Sequence, residues 1–303
     1  MVEPTEILER SDQAAGLERR QRTFARMAWH HLRSKPLGSI GLIVVLIVAI
    51  FAIFADVIAP FDYQAQKYDA VRVAPGVPHL FGTDEFGRDV FSRVVHGARV
   101  SLLVGFASVL LGTGVGALLG LISGYFMGIL DSGMQRLIDM WMALPDLILA
   151  LAIVAALGEQ SMEILIIAIA ATILPRGVRV IRASTISLRE SDYVLSARAI
   201  GASDWRVILR HIAPNSMAPF LIIMSSMFGT AILTEAGLSF LGLGIEPPTP
   251  SWGGMLTGQA AQFLRTAPWM LVFPGMALSI TVLGFAFAGD ALRDILDPRQ
   301  RGR

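Results

Sequence analysis

The stretch PLGSIGLIVVLIVAIFAIFA, residues 36–55, runs for 20 residues without a charge. A helix rises about 1.5 Å per residue, so 20 residues cover roughly the 30 Å hydrocarbon core of a bilayer. Further uncharged runs lie at 100–130, 212–234 and 266–289, and are 31, 23 and 24 residues long. Composition points the same way: 54% of residues are hydrophobic, 16% are charged, and mean hydropathy is +0.60. Soluble domains carry about 25% charged residues, so the charges here are too few to cover a soluble surface. The chain reads as an all-α integral membrane protein.

Two shorter runs, 147–158 and 164–175, are uncharged for only 12 residues each. The first fills a bilayer only if 137–145 is added, which places Asp146 inside the membrane. Two crossings or one re-entrant hairpin both fit, so hydropathy leaves the count at six or four. Basic residues orient the chain. Residues 1–35, the segment 176–210, Arg136 and the C-terminus carry 19 of the Lys and Arg, against six on the other side. The positive-inside rule therefore puts both termini in the cytoplasm. Residues 1–35 read as a retained cytoplasmic segment rather than a cleaved leader. Within them, 17–33 read either as an amphipathic helix with Leu17, Phe24, Ala28 and Leu32 on one face or as a solvated charged tail.

Enzyme signatures are missing. There is no GxxxxGK[ST] phosphate loop, no HExxH pair among the five His, and no cysteine. No catalytic residue, cofactor or metal is expected on this chain, and no nucleic-acid partner. The acids Asp146, Glu235 and Asp290 fall in or beside spans. Intramembrane acids are costly and suggest proton relays, which keeps a proton-coupled secondary transporter using Asp146 and Glu235 in view. Asp146 follows Pro145 and Glu235 precedes a Gly-rich exit, so acceptance from freed backbone amides is the structural reading for both. A secondary transporter would also show an internal inverted repeat, and none is visible.

The segment ESDYVLSARAIGASDWRVILRHIAP, 190–214, reads as two short helices meeting at Gly201. Trp205, Ile208, Leu209 and Ile212 recur at helical spacing as one apolar ridge, with Tyr193, Ala197 and Ile200 as a shorter stripe before the break. Small residues (Ser196, Ala197, Ala202) flank Gly201 and permit close backbone approach. A docking protrusion and an interfacial helix-turn-helix both fit.

This segment resembles the EAA loop of ABC-importer permeases. Leu195-Ser196-Ala197, Gly201 and Pro214 occupy the motif positions, with Leu195 in place of the usual Glu. Two further stretches are similar to the second permease of dipeptide, oligopeptide and nickel importers. They are HLFGTDEFGRDVFSRVVHGARVSL at 79–102 and TEAGLSFLGLG at 234–244, followed by PPTPSWGGML. The resemblance implies six transmembrane helices in the type I ABC-importer permease fold. A five-helix core, 99–290, would follow an added first span at 36–59 and an extracytoplasmic loop at 60–98, with a cytoplasmic tail at 291–303. It implies a multi-pass subunit of the bacterial cytoplasmic membrane, without ATPase activity, forming half of a peptide pathway. A close variant would carry nickel chelates or another small solute. The implied partners are a homologous second permease, two ABC ATPase subunits holding ATP and Mg, and an extracytoplasmic substrate-binding protein. The ATPase would dock on Ser196, Ala197, Arg198, Gly201, Ala202, Asp204, Trp205 and Pro214. Asp84, Arg88, Asp89 and Arg93 would either contact the binding protein or close the outer side.

Overall fold

The computed structural model describes residues 36–158, 160–257 and 262–296. The amphipathic segment expected at 17–33, Glu159 and the tail beyond 296 lie outside the described residues. Helices dominate, and among the described residues the sole β feature is a bridge between Thr83 and Asp89. The spanning elements are α1 (Pro36–Ile53), α2 (Val90–Phe126), a pair formed by α3 (Gly128–Met142) and α4 (Asp146–Leu157), and α5 (Met162–Arg189). After two short helices, α6 (Asp192–Ala199) and α7 (Asp204–Val207), come α8 (Met217–Phe240), the four-residue α9 (Trp252–Met255) and α10 (Trp269–Leu296). Helices α1, α2, α5, α8 and α10 are each long and apolar enough to cross a bilayer. The pair α3–α4 reaches that standard only jointly, with a 91° bend at its break.

Helices α2 and α5 settle what the bent pair does. Gly112, Gly116, Gly120 and Gly124 of α2 lie against residues 170–173, 174–178, 178–182 and 182–185 of α5. Both series rise together, so the two helices are parallel. A cluster of Val104, Val109, Leu165, Ala168 and Ile169 extends the contact to the start of α5. The chain leaves α2 at one end of the bundle and enters α5 at the other, so α3–α4 carries it back across. The described residues therefore cross six times.

Several helix ends differ from the uncharged runs. The run at 100–130 is interrupted, because Met127 and Gly128 take φ values of 54° and 64° and end α2. The run at 164–175 is the front half of a helix that continues through Pro175 for 14 more residues. Charge does not stop a helix where a partner is waiting for it.

The α2–α5 contact is made backbone to backbone. A Cβ added at Gly112, Gly116, Gly120 or Gly124 would sit 2.5–2.8 Å from a carbonyl oxygen of α5. Small residues every fourth position let membrane helices approach this closely, and packing then replaces a hydrophobic drive that lipid does not supply. At the start of α2, Glu235 is fully buried and accepts hydrogen bonds from Ser101 Oγ (3.1 Å) and Ser239 Oγ (2.8 Å). Ser251 Oγ joins Ser239 Oγ at 3.4 Å, and Trp252 donates Nε1–H to Val94 O at 2.9 Å. This hydroxyl–carboxylate node ties α2, α8 and α9 together.

Peripheral α1 packs on α10, where Gly41 faces Gly284 O and Ala288 N at a close approach. Its end is held by Arg99, which donates to Ala52 O (2.9 Å), Ile53 O (3.2 Å) and Asp56 Oδ2 (2.9 Å). Pro36 and the end of α10 lie at the same end of the bundle, since Gly38 abuts Ala291.

Thermal stability in detergent reports on these contacts. Gly116→Ala with Gly120→Ala should destabilise by about 1–3 kcal/mol per site through overpacking, lowering the thermal midpoint. Gly114→Ala, with open space around its Cβ, should be neutral or stabilising by up to about 1 kcal/mol. At the serine node, Glu235→Gln should leave the thermal midpoint nearly unchanged, because the amide oxygen still accepts from the same hydroxyls. Glu235→Leu should cost about 1–3 kcal/mol by leaving buried hydroxyls without their acceptor, read as the same thermal shift.

Candidate functional site

Three polar regions stand out from the apolar bundle. The first is the connection between α5 and α8. Helix α6 ends at Gly201, whose φ of +85° is open to glycine without penalty, and nothing lies within 4 Å of a Cβ built there. Ser203 begins α7, and a widened turn, Ile208–Ile212, follows with Ala213 N–H reaching back to Ile208 O. Pro214 cannot donate to the carbonyl four residues earlier, which accounts for a looser turn just ahead of it.

The expected apolar ridge divides into two faces. Val194, Val207, Ile208 and Ile212 are buried with Leu121, Tyr125 and Ile181 and fasten the connection to α2 and α5. Trp205 is 57% and Ile200 87% exposed, and Leu195 and Leu209 also point outward. Between these, Ala197, Ile200, Gly201, Ala202, Arg206, Arg210 and His211 line a cavity of about 400 Å³. Ser196, Asp204 and Pro214 are exposed, Ala197 is buried, and Arg198 and Ala202 are half-buried.

One residue in this region carries no motif. Tyr125, at the end of α2, donates its hydroxyl to Asp204 Oδ1 at 2.6 Å. The Arg198 guanidinium lies 4.8 Å from its ring centre, and neighbouring Phe126 meets Trp205 edge-on at 6.3 Å. Tyr125 thus holds both short helices at once. The only sequence signal for it is an aromatic residue at the end of an apolar run.

The second region is at the opposite end, in residues 79–93. Asp89 caps α2, accepting from Ser92 N and Ser92 Oγ at 2.8 Å each, and meets His79 Nδ1 at 2.9 Å. Asp84 accepts from Phe86 N and Arg88 N at 2.9 Å and from Arg88 Nε at 2.6 Å, with Arg93 Nε 3.6 Å away. Arg93 Nη1 also donates to Tyr63 O at 3.2 Å. Asp84, Arg88, Asp89 and Arg93 are all buried. Their hydrogen bonds are made within the chain and shape a loop, which Trp269 Nε1 of α10 joins by donating to Thr83 O at 3.1 Å.

The third region is a set of ion pairs between α5 and the bent pair. Arg176 meets Asp146 at 2.6 Å, Arg179 meets Asp139 at 2.5 Å, and Arg182 holds Asp131 by two bonds of 2.6 Å. Backbone amides are the expected partners of Asp146, but the partner found is the Arg176 guanidinium. Glu235 likewise takes serine hydroxyls rather than backbone amides. The sequence reading names Asp146 but none of these pairs, because partners 30, 40 and 51 residues apart leave no spacing signal.

Comparison with known proteins bears out this architecture. Residues 116–302 match the family described as binding-protein-dependent transport system inner membrane component. Residues 23–75 match the N-terminal TM domain of oligopeptide transport permease C. The dipeptide transport system permease protein DppC of Alkalihalophilus pseudofirmus is 43% identical over 276 residues, 91% of this chain and 90% of that protein. The glutathione transport system permease protein GsiD of Pectobacterium atrosepticum is 41% identical over 246 residues, 81% of each. A putative peptide transport system permease of Brucella suis is 46% identical over 225 residues, 74% of this chain and 75% of that protein. A chain of the MetNI methionine ABC transporter, solved in inward-facing conformations, shares the fold at TM-score 0.55 and 17% identity, covering 68% of this chain and 96% of its own. Six crossings in this fold, the family match over most of the bundle and relatives aligned along nearly the whole length lead to one conclusion: the chain belongs to the inner membrane components of binding-protein-dependent transport systems, the permeases of ABC importers.

Proposed function

We propose that this chain forms half of the translocation pathway of an ATP-driven importer of short peptides. A homologous permease supplies the other half, two ABC ATPase subunits hydrolyse ATP with Mg, and an extracytoplasmic binding protein delivers the solute. The peptide class rests on the dipeptide and glutathione permeases among the relatives. Both termini and the connection between α5 and α8 face the cytoplasm. Arg176, Arg179 and Arg182 lie within α5 rather than in the loop, and the remaining basic residues still favour that side by 16 to six.

The observation that carries the ATPase assignment is the divided surface of 190–214. Half of its apolar residues fasten it to α2 and α5, while Leu195, Ile200, Trp205 and Leu209 are left exposed around a cavity edged by Arg206, Arg210 and His211. An aromatic anchor, small flanking residues and a cationic rim suit a groove on a soluble partner. Tyr125 would then pass displacement of α6 and α7 directly into α2. At the other end, burial of Asp84, Arg88, Asp89 and Arg93 favours closure of the outer side over contact with the binding protein.

Gly201→Asp provides a direct test. Its Cβ meets no atom of this chain, and a left-handed non-Gly residue costs only about 1–2 kcal/mol. The six spans should therefore insert normally while ATPase co-purification or coupled transport is lost. Trp205→Ala should weaken ATPase binding by about 2 kcal/mol, measured by titrating ATPase subunits onto the permease pair. Wild-type ATPase retention and transport in the double variant would refute the docking surface.

A further inference from the structure

The pair Arg176–Asp146 has no role in the docking surface, and its depth demands one. Arg176 is 14 residues from the start of α5 and 13 from its end, or about 20 Å from either end at 1.5 Å per residue. Helix α5 measures about 42 Å against a hydrocarbon core of about 30 Å, so whichever end overhangs, the pair lies about 8 Å or more inside. Yet the side chains are 34% and 37% exposed. Charges at that depth almost always face the bundle interior or a water-filled cavity, because exposure to acyl chains is too costly. Toward the 190–214 end, Arg179–Asp139 and Arg182–Asp131 continue the same broad face of α5 at steps of three residues. Polarity therefore extends from mid-membrane to that end along one face. Asp146 engages Nη2, while Nη1 is buried and has no acceptor among the described residues, so a solute must reach the exposed part of the guanidinium beside Asp146 or turn it.

We propose that the face of α5 and α4 bearing Arg176 and Asp146 lines a water-filled path completed by the second permease, and that Arg176 receives the carboxylate of a zwitterionic solute there. Asp146 holds the guanidinium in place, and the third of the Arg176 side chain that stays exposed is what a solute meets. The ladder below it gives the solute successive charged contacts rather than one deep trap. The carboxylate assignment rests on the peptide-importer reading above, whereas the water-filled path does not.

The chain contains no cysteine, so one introduced thiol in this subunit reports its own surroundings. In the complete complex reconstituted in vesicles, a charged, membrane-impermeant methanethiosulfonate should modify Asp146→Cys, and a dipeptide should slow the reaction. Ile43→Cys, exposed on peripheral α1, should stay unmodified. If Asp146→Cys is as inert as Ile43→Cys, the path is overturned. The neutral double variant Arg176→Gln, Asp146→Asn avoids stranding one buried charge. Wild-type complex should favour a free-acid dipeptide over its C-terminal amide more strongly than this variant does. The loss should be about tenfold in relative KM, the size of a charge-assisted hydrogen bond. Selection by the binding protein is common to both complexes and cancels. An unchanged preference overturns the carboxylate assignment. If wild-type complex transports neither peptide while Asp146→Cys still reacts, the peptide reading fails and the path stands.

Discussion

The backbone contact between α2 and α5 is the constraint on which the other features depend. Helix α2 is 37 residues long, about 55 Å at 1.5 Å per residue. It begins in the polar loop at 79–93 and ends at Tyr125, beneath the two short helices. Helix α5 lies parallel to it, carries Arg176, Arg179 and Arg182, and leads directly into α6. Gly112, Gly116, Gly120 and Gly124 hold the two axes so close that neither helix can turn without the other. Both ends of the bundle are thereby set by one line of glycines, which no side chain of intermediate size could replace.

The sequence reveals this architecture unevenly. Spans are legible because hydrocarbon asks only for length and lack of charge, and residues 36–55 satisfy both without any knowledge of neighbours. Helix ends are less legible, because they depend on local backbone conformation and tertiary partners. Met127–Gly128 breaks an uncharged run, while Arg176 sits inside a helix that a hydropathy argument would have closed at Pro175. The glycines of α2 are conspicuous in composition, but their four-residue period acquires meaning only once α5 is known to lie alongside.

The candidate site shows the same division. Gly201, the exposed Trp205 and the hinge between two short helices are local features and follow from 190–214 alone. The separation of Ile208 and Ile212 from Trp205 and Leu209 is not local, since it depends on what α2 and α5 offer beneath. Tyr125 is 79 residues from Asp204, and Asp146 is 30 from Arg176; pairs so distant in sequence leave no spacing signal. The acids were visible as residues out of place in a membrane, but their partners became visible only with the fold. The motif at 79–102 reports the shape of a loop, as Asp84 and Asp89 accept from backbone amides and side chains within it.

The seat of α1 bears on how the protein is made. Its principal neighbour is α10, through Gly38, Gly41 and Gly284, so a span made early packs against one made much later. Chains generally fold from the N-terminus as synthesis proceeds, at about 5–20 residues per second. More than 200 residues separate Gly41 from Gly284, so for at least about 10 seconds α1 stands in the bilayer with its glycine face turned to lipid. A helix this apolar can wait there without harm. The order of synthesis makes its docking a late step, one that waits until α10 has been made.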